Sequence, residues 1–494
     1  MFNPATELSE NVRSKFFIGG QWLSPQSGKT VSLVAPATEE PFLTVPQASI
    51  MDVDAAVNAA RRAFDGGQWP HTTPGERSVI LRRMGGLVAQ RLPLLSRLWT
   101  AQVGAPTWFA DMFTPTAVAM LEYYSELAQT FAFEEQRPTR GGHARVIRQP
   151  VGVAALIAPW NAQLPILSYK VGAALAAGCC VVVKSPLETP LDALVLAECA
   201  EQAGLPAGVL NVITGDADAG AHLVGNPGID KVSFTGSTAT GKIIAGSCIE
   251  RLARFTLELG GKSAAIVLED APLETALQAL VPFTMPFSGQ ICFSQTRILV
   301  PRKQEAAFLE AYGAAIRSLK VGDPWDPTTQ IGPLASKRQF ERVLGYIESG
   351  RREGAQVVAG GGQRPVSGKG YFVEPTVFSG VSPEMTIARE EIFGPVVVVM
   401  PYDDVDEAVA LANNSDFGLS GTVFSGDIER AASIARRIKT GHVCVNGLEM
   451  APNVPFGGFK QSGMGREGGP EGLMAFLEDQ AIYLPVGLQA TGQG

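Results

Sequence analysis

The sequence predicts an α/β protein that contains two α/β units built on parallel sheets. Two observations predict this class. Short apolar runs alternate with helical stretches from about residue 150 onward, which indicates βαβ units. The chain has 494 residues, which is too long for one hydrophobic core and suggests two or three domains. Hydrophobic residues make up 46% and charged residues 18%, a composition that can fill such cores.

The first unit follows an N-terminal region with a predicted hairpin at 16–23 and amphipathic helices at about 53–65 and 75–104. Its predicted strands lie at 151–159, 180–186, 209–215, 231–236 and 263–270, and its predicted helices at 167–178 and 191–204. The run at 151–159 is apolar throughout, which is typical of a strand buried on both faces. Glycine ends both helices, as a helix stop signal.

The second unit repeats the alternation less regularly and is not a sequence repeat of the first. Its predicted strands lie at 296–301, 354–361, 394–402 and 442–446, and its predicted helices at 303–319, 404–414 and 427–438. Two β-like segments, 145–150 and 481–485, fall outside both sheets. The residues alone leave open whether these segments are edge strands or pair with a neighbouring subunit.

Composition excludes several classes of function. The formal net charge of −8 argues against a nucleic-acid or anionic-membrane partner, because such partners require a basic surface. The four histidines are scattered, so no metal site is expected. The six cysteines form no CxxC pair, which favours a reducing compartment. We therefore expect a cytoplasmic protein without a targeting segment or membrane span.

A glycine turn after the strand at 231–236 is a candidate phosphate site. The segment FTGSTATGK, 234–242, runs from the strand through Gly236 and Gly241 into a helix. Glycines let the backbone approach a phosphate, and the N-terminus of the helix offers free N–H groups. The turn matches neither a Walker A loop nor G-x-G-x-x-G, so an ordinary strand–helix turn stays open.

Three polar residues are candidates for catalysis. Glu258 lies among leucines and glycines in LELGGK, where burial raises a carboxyl pKa and suits it to be a general base. Cys292 follows Gly-Gln and offers a thiolate nucleophile. Asn161 follows the strand at 151–159 and can donate an amide hydrogen to an oxyanion. Each alone has a structural alternative, as a paired carboxylate, a core thiol or a turn residue.

Six motifs in combination resemble the NAD(P)-dependent aldehyde dehydrogenase superfamily. They are PWN at 159–161, FTGSTATG at 234–241, LELGGK at 257–262, GQIC at 289–292, EEIFGP at 390–395 and PFGGFKQSGMGRE at 455–467. Their order and spacing resemble those of the family over nearly the whole chain, and Glu258 and Cys292 stand 34 residues apart, also as in the family.

The resemblance implies roles for four catalytic residues. Cys292 is expected to attack the aldehyde carbon, and the Asn161 amide with the Cys292 backbone N–H to hold the oxyanion. After hydride transfer to the nicotinamide, Glu258 is expected to activate the water that hydrolyses the thioester. Lys170 matches a family lysine near the site and is expected in a proton relay with Glu258.

The resemblance also implies the cofactor residues. Lys184 is expected at the adenosine ribose, Trp160 at the adenosine-side wall, and Ser237 at the pyrophosphate, within the turn from Gly236 to Gly241. Glu391 and Phe393 are expected at the nicotinamide ribose and ring.

One position departs from the NAD-preferring pattern of the family. A glutamate is expected three residues after Lys184, but Leu187 stands there and Glu188 follows it. A carboxylate would repel the 2′-phosphate of NADP, whereas leucine would not. We expect NAD as the cofactor, with NADP possible.

By the same resemblance, the substrate tunnel is expected to include eight residues, which are apolar and partly aromatic. They are Ala162, Ile166, Tyr169, Met285, Ile291, Phe293, Met450 and Phe456. No arginine or lysine stands where a substrate carboxylate would be bound. This favours an uncharged aliphatic, terpenoid or aromatic aldehyde over a semialdehyde acid, and a generic promiscuous pocket stays open.

The family fold implies a Rossmann-like cofactor domain at 1–127 and 151–260, an α/β catalytic domain at 261–477, and a small β oligomerisation element at 128–150 and 478–494. A homodimer or homotetramer is expected. The competing functions are thioester transfer to coenzyme A, a semialdehyde dehydrogenase of the same fold, and a catalytically silent binding protein. The presence of Glu258 disfavours the first, and Cys292, Glu258 and Asn161 together disfavour the last.

Overall fold

The computed structural model of the protein describes residues 2, 4–364, 366 and 368–485. As far as residue 260, its helices are α1 (Pro4–Glu7), α2 (Glu10–Ser14), α3 (Ile50–Asp65), α4 (Pro74–Val103), α5 (Thr107–Phe113), α6 (Thr116–Thr130), α7 (Gln163–Ala177), α8 (Leu191–Gln202), α9 (Ala217–Gly225) and α10 (Thr238–Glu250). The strands of this part are β1 (Phe16–Ile18), β2 (Gln21–Leu23), β3 (Thr30–Ala35), β4 (Glu40–Pro46), β5 (Glu134–Thr139), β6 (Gly142–Pro150), β7 (Val153–Ile157), β8 (Cys180–Ser185), β9 (Leu210–Thr214), β10 (Lys231–Thr235) and β11 (Arg254–Glu258).

The remainder contains the helices α11 (Leu273–Thr284), α12 (Glu305–Ser318), α13 (Lys337–Arg352), α14 (Thr386–Arg389), α15 (Val405–Asn413), α16 (Ile428–Ala435) and α17 (Gly469–Met474). Its strands are β12 (Ala264–Val267), β13 (Arg297–Pro301), β14 (Gln356–Ala359), β15 (Thr376–Ser379), β16 (Val396–Tyr402), β17 (Phe417–Gly418), β18 (Ser420–Phe424), β19 (His442–Val445), β20 (Phe459–Lys460), β21 (Gly463–Met464) and β22 (Leu477–Pro485). Short 3-10 turns lie at Trp69–His71, Pro286–Gly289 and Arg302–Gln304.

The first large sheet has the order β2-β1-β9-β8-β7-β10-β11-β21. The five strands from β9 to β11 are parallel, and antiparallel strands flank them on both edges. Every residue of β7 and β8 is buried, as expected for strands with helices on both faces. The N-terminal hairpin and four of the five strands predicted for this unit, at 151–159, 180–186, 209–215 and 231–236, are thereby confirmed, whereas the fifth, at 263–270, lies in the second large sheet.

The second large sheet has the order β14-β15-β16-β13-β12-β18-β19 and is parallel except at the β14 edge. The strand predicted at 263–270 is β12 and belongs to this sheet. Both sheets therefore match the predicted α/β class, with mixed edges added to parallel centres.

The two isolated β-like segments share a third sheet. Strand β22 pairs with β6 over nine residues, from Leu477 opposite Pro150 to Pro485 opposite Gly142, and β5 covers the other side of β6. The segments lie outside both large sheets, as predicted. The domain boundaries and the subunit-bridging role stay predictions, and residues 486–494 of the predicted oligomerisation element lie outside the described residues.

Two local differences from the sequence-based expectations have simple causes. Helix α7 begins at Gln163, four residues before the predicted start, because Pro165 is tolerated within the first helical turn. Strand β5 escaped prediction because its sequence, EEQRPT, is polar and lacks the apolar alternation of a half-buried strand. In the described residues, no helix is long and apolar enough to cross a membrane.

Candidate active site

Cys292 lies on the irregular segment between the Pro286–Gly289 turn and β13. Gln290, fully buried, holds this segment, because its side-chain oxygen accepts a hydrogen bond from the Ala335 N–H at 2.9 Å. Gly261 packs directly on it, since a Cβ there would lie 2.4 Å from the Cys292 carbonyl oxygen. Cys292 is half-buried, in contrast to four of the other five cysteines, which are buried.

The environment of Cys292 opposes ionisation of its thiol. Burial raises the pKa of the thiol strongly, and the carboxyl groups of Glu391 and Glu258 raise it further. The backbone N–H groups of Cys292 and Phe293 act in the opposite direction, because they donate to the sulfur. A thiol in this setting needs a base before it can act as a nucleophile at neutral pH.

Asn161 lies in the loop between β7 and α7 and is 4% exposed. Its side-chain Nδ2 donates to the carbonyl oxygen of Gln290 at 2.8 Å. This bond holds the amide beside the segment that carries Cys292, two residues further along the chain. The Asn161 carbonyl oxygen accepts a hydrogen bond from the indole N–H of Trp99 at 2.7 Å.

Glu258 is the last residue of β11 and is 3% exposed. Among the described residues, neither of its carboxylate oxygens has a hydrogen-bond partner. The absence of a side chain at Gly457 makes room for this group, because a Cβ there would lie 2.6 Å from Oε1. Burial raises the pKa of Glu258 well above its ordinary value, and the charge of Glu467 adds to this effect.

Lys170 is fully buried and pairs with Glu467 rather than with Glu258. Its ammonium donates to the Glu467 carboxylate and, at 3.1 Å, to the hydroxyl of Ser233. The Ser233 hydroxyl donates to the same Glu467 oxygen at 3.1 Å. Lys170 still acts electrostatically on Glu258 and lowers its pKa. The proton relay between Lys170 and Glu258 stays a prediction, and Glu467 lies beside both groups.

The glycine turn precedes α10. Ser237 is the N-cap of that helix, and its hydroxyl accepts the Thr240 N–H at 3.2 Å. A Cβ on Gly236 would lie 2.4 Å from the Phe234 ring, and one on Gly241 would lie 2.6 Å from Leu259. Both glycines are thus required by close packing under an exposed helix N-terminus, a geometry suited to a phosphate group.

Lys184 and its neighbours lie at the carboxyl end of β8. The Lys184 ammonium donates to the Gly215 carbonyl at 2.7 Å, and burial lowers its pKa to about 8. Leu187 is half-buried. The Glu188 carboxylate lies 3.8 Å from the guanidinium of Arg338 on α13, so this carboxylate already has a cationic partner.

Glu391 contacts the two glycines that link β11 of the first sheet to β12 of the second. Its carboxylate accepts the Gly261 N–H at 2.9 Å, and burial raises its pKa to about 7. A Cβ on Gly260 would lie 2.4 Å from the same carboxylate. Phe393 has a left-handed backbone, φ +62°, and its ring packs edge-on against Trp160 at 5.5 Å between ring centroids.

Part of the predicted substrate tunnel forms one apolar cluster, which contains Ala162, Ile166, Ile291 and Phe293. Phe456 extends it through an edge-on contact with Phe293, with ring centroids 6.1 Å apart.

The other three predicted tunnel residues are not members of this cluster, and their place in the tunnel stays a prediction. Tyr169 packs in the core of the first sheet. Met285 is 2% exposed and belongs to a buried cluster on the second sheet that also contains Leu280. Met450 is exposed on the loop after β19.

Sequence reasoning missed four residues that the structure brings to the site. Glu467 is the last residue of the motif at 455–467, but its partner Lys170 is 297 positions away. No local sequence pattern signals a contact over that separation. Trp99, Trp108 and Phe113 belong to the apolar cluster through α4 and α5. Their aromatic character was the one available signal, and it is equally typical of an ordinary core.

Comparison with known proteins gives a match to the family model described as the aldehyde dehydrogenase family over residues 22–482. The geranial dehydrogenase of Castellaniella defragrans is 46% identical over 470 residues, covering 95% of this chain and 98% of that protein. A betaine aldehyde dehydrogenase of Rhizobium leguminosarum is 40% identical over 483 residues, covering 97% and 99% of the two chains.

Solved structures agree over the same length. An aldehyde dehydrogenase of Mycobacterium tuberculosis, complexed with NAD+, has a TM-score of 0.95 at 42% identity and covers 97% of this chain and 99% of its own. A mutant of aldehyde dehydrogenase C from Pseudomonas syringae, complexed with NAD+ and octanal, has a TM-score of 0.93 at 40% identity, with 96% and 97% covered. The predicted family, fold and enzyme class are confirmed.

Proposed function

The chain belongs to the aldehyde dehydrogenase family, and on that premise we propose that it oxidises an uncharged aldehyde to the carboxylic acid through a thioester on Cys292. The observation that carries the proposal is the convergence of three groups. The Asn161 amide is bonded to the Cys292 segment, and the Glu258 carboxyl is near enough to raise the pKa of the Cys292 thiol.

The first half of the reaction forms and oxidises an adduct on Cys292. The thiol loses its proton to a base, and its sulfur forms a bond to the aldehyde carbon. The carbonyl oxygen becomes an oxyanion, which the Asn161 side-chain N–H and the Cys292 backbone N–H stabilise. The hydride that leaves this carbon would pass to NAD+, which Lys184, Ser237 and Glu391 would help to hold. The oxyanion then collapses to the carbonyl of a thioester on Cys292.

The second half releases the acid. Glu258 takes a proton from water, the water oxygen attacks the thioester carbon, and the bond to the Cys292 sulfur breaks. Because its pKa is raised, the ionised Glu258 carboxylate is a stronger base than an ordinary glutamate. The adjacent Lys170–Glu467 pair offers an exit for that proton. A base at this position supports hydrolysis rather than transfer to coenzyme A.

The residues around the glycine turn fit a dinucleotide. Ser237, Gly236 and Gly241 present a helix N-terminus suited to the pyrophosphate, and Lys184 is expected at the adenosine ribose. Relatives solved with NAD+ support this cofactor. NADP+ is a second cofactor that we propose, because Leu187 places no carboxylate where a 2′-phosphate would be repelled.

The apolar cluster supports an aliphatic, terpenoid or aromatic substrate. Ala162, Ile166, Ile291 and Phe293 offer it aliphatic and aromatic surface. The names of two relatives agree, since one is a geranial dehydrogenase and another was solved with octanal. Aromatic walls also bind quaternary ammonium groups, so betaine aldehyde, the substrate named for another relative, is the second candidate.

We also propose a cytoplasmic homodimer or homotetramer, with the β5–β6–β22 sheet as the bridging element, the cofactor domain at 1–127 and 151–260, and the catalytic domain at 261–477. A three-stranded sheet that is separate from both large sheets supports this arrangement.

A substrate panel tests the proposed function. NADH formation is followed with hexanal, citral, benzaldehyde, succinic semialdehyde and betaine aldehyde, and kcat/KM is compared. We expect the three uncharged aldehydes to exceed the other two, and no turnover in Cys292→Ala. Succinic semialdehyde in first place would refute the apolar substrate, and turnover in Cys292→Ala would refute the mechanism.

A further inference from the structure

Three aromatic side chains join the two loops that carry Asn161 and Cys292. Trp99 on α4 packs edge-on against Phe109 on α5 and against Phe287, with ring centroids 5.5 and 6.0 Å away. Phe109 and Phe287 stack at 5.7 Å with an angle of 23° between their planes. We call Trp99, Phe109 and Phe287 the aromatic brace. All three are buried, so none of them is exposed for solvent contact.

Phe287 has a backbone conformation that its residue type disfavours. Its φ is +47°, and Ser288 and Gly289 follow with φ of +56° and +74°. Left-handed conformations are uncommon outside glycine and asparagine, and bulky residues adopt them only where surrounding packing imposes them. Here that packing is the stack with Phe109 and the contact with Trp99. The path of the chain toward Cys292 therefore depends on the brace.

Trp99 also holds the other loop through its ring nitrogen. The indole N–H donates to the Asn161 carbonyl oxygen at 2.7 Å, in a buried setting. The Asn161 side chain donates in turn to the Gln290 carbonyl, three residues after Phe287. The Trp99 indole therefore contacts the backbone of Asn161 through its N–H, and it contacts Phe287, which precedes Cys292 by five residues, through an edge-on ring contact.

We propose that Trp99 is a positioning residue that sets the Asn161 amide against Cys292. It acts through its hydrogen bond to the Asn161 backbone and through the brace. This inference rests on the proposed role of Asn161 as the oxyanion donor. Electrostatic stabilisation of an oxyanion depends on donors that are already placed before the charge develops. Without the hydrogen bond from Trp99, the Asn161 amide can still donate to an oxyanion, but it is no longer held in position for it.

The test replaces the indole N–H and keeps an aromatic ring. Trp99→Phe removes the bond to Asn161, and Trp69→Phe is the matched control. Trp69 is also buried, and its indole N–H donates to a backbone carbonyl, that of Cys179, at 3.1 Å. Both substitutions delete the same kind of bond, but only one bond reaches the site. The readouts are the pre-steady-state rate of NADH formation, the Kd for NAD+ and the Tm.

We expect Trp99→Phe to slow pre-steady-state NADH formation by about 10- to 100-fold, the range that misplacement of a catalytic group costs. We expect an unchanged Kd for NAD+ and a Tm close to that of Trp69→Phe, which keeps the native rate. In an Asn161→Ala background, adding Trp99→Phe should slow the reaction no further, because the phenyl ring keeps the brace and the lost indole N–H acts only through the amide that Asn161→Ala has already removed.

Several outcomes would overturn the proposal. If Asn161→Ala is slow while Trp99→Phe stays within about twofold of native, Trp99 does not position the donor, and the role of Asn161 stands. Multiplicative losses in the double variant would mean that Trp99 acts elsewhere. A native rate in Asn161→Ala would overturn this proposal together with the role of Asn161. If Trp99→Phe does not fold, Phe287→Leu tests the brace instead. We expect this variant also to slow pre-steady-state NADH formation, and a native rate would refute the proposal.

Discussion

Replacing Glu258 by glutamine should change turnover and stability in opposite directions. Glu258 is 3% exposed, and its carboxyl has no hydrogen-bond partner in the part of the chain that the structure describes, so glutamine fills the same space without a charge. If Glu258 is the base that activates water, the variant still forms the thioester but fails to hydrolyse it. The loss expected for one general base is about 10²- to 10⁴-fold, or about 3 to 5 kcal/mol in activation free energy.

The stability effect follows from the raised pKa of Glu258. In the unfolded chain a glutamate ionises with a pKa of about 4.3, whereas burial near Glu467 raises the pKa well above that in the folded protein. Between the two pKa values the unfolded chain is ionised and the folded protein keeps the proton. The free energy of unfolding therefore falls as pH rises, by up to about 1.4 kcal/mol per pH unit.

Glu258→Gln does not titrate, so its stability advantage over the native protein should grow with pH across that interval. Tm from pH 5 to 9 measures this advantage, and a burst of NADH without steady turnover measures the catalytic loss. Glu341→Gln, at an exposed glutamate on α13, is the control and should match the native protein in both assays. Turnover within about tenfold of native, or Tm curves that stay parallel to the native curve, would refute the reasoning.

Three further predictions test other parts of the site. The rate of pre-steady-state NADH formation should rise with pH above neutrality, because burial raises the pKa of the Cys292 thiol; a rate independent of pH would contradict this. Leu187→Glu should raise the NAD+ over NADP+ ratio of kcat/KM at least about tenfold through charge repulsion, and an unchanged ratio would show that this position does not discriminate. Gly289→Ala should cost more than about 2 kcal/mol in chemical denaturation, because φ is +74° and the new Cβ would lie 2.1 Å from the Gly394 oxygen. Gly246→Ala, with nothing within 4 Å of the new Cβ, is its control and should be neutral or stabilising.

Much of the fold was predictable because its signals are local. The fully buried strands β7 and β8 are short apolar runs, and Gly178 and Gly204 follow the helices that flank them. Strand β21 gave no such signal, because a strand of two residues is too short to show a periodicity. It pairs with β11, which lies about 200 residues earlier in the sequence.

The site was predictable only where a motif carried the residue. Cys292, Glu258 and Asn161 stand in motifs, whereas the contact of Lys170 with Glu467 joins residues far apart in sequence. The sequence pattern places Trp99 only in an amphipathic helix at about 75–104. It does not specify that the indole N–H contacts the Asn161 carbonyl oxygen. Hydrogen bonds made by residues such as Trp99, which a helical pattern counts as apolar, can be identified only in the folded structure.

The role of Cys292 is tested most directly by mass spectrometry of Glu258→Gln after mixing with NAD+ and hexanal. Thioester formation without hydrolysis predicts one hexanoyl group per chain, recovered on the peptide that contains Cys292, and none when NAD+ is omitted. An acyl group on another residue such as Cys444, or NADH formation without any acylated protein, would contradict the account.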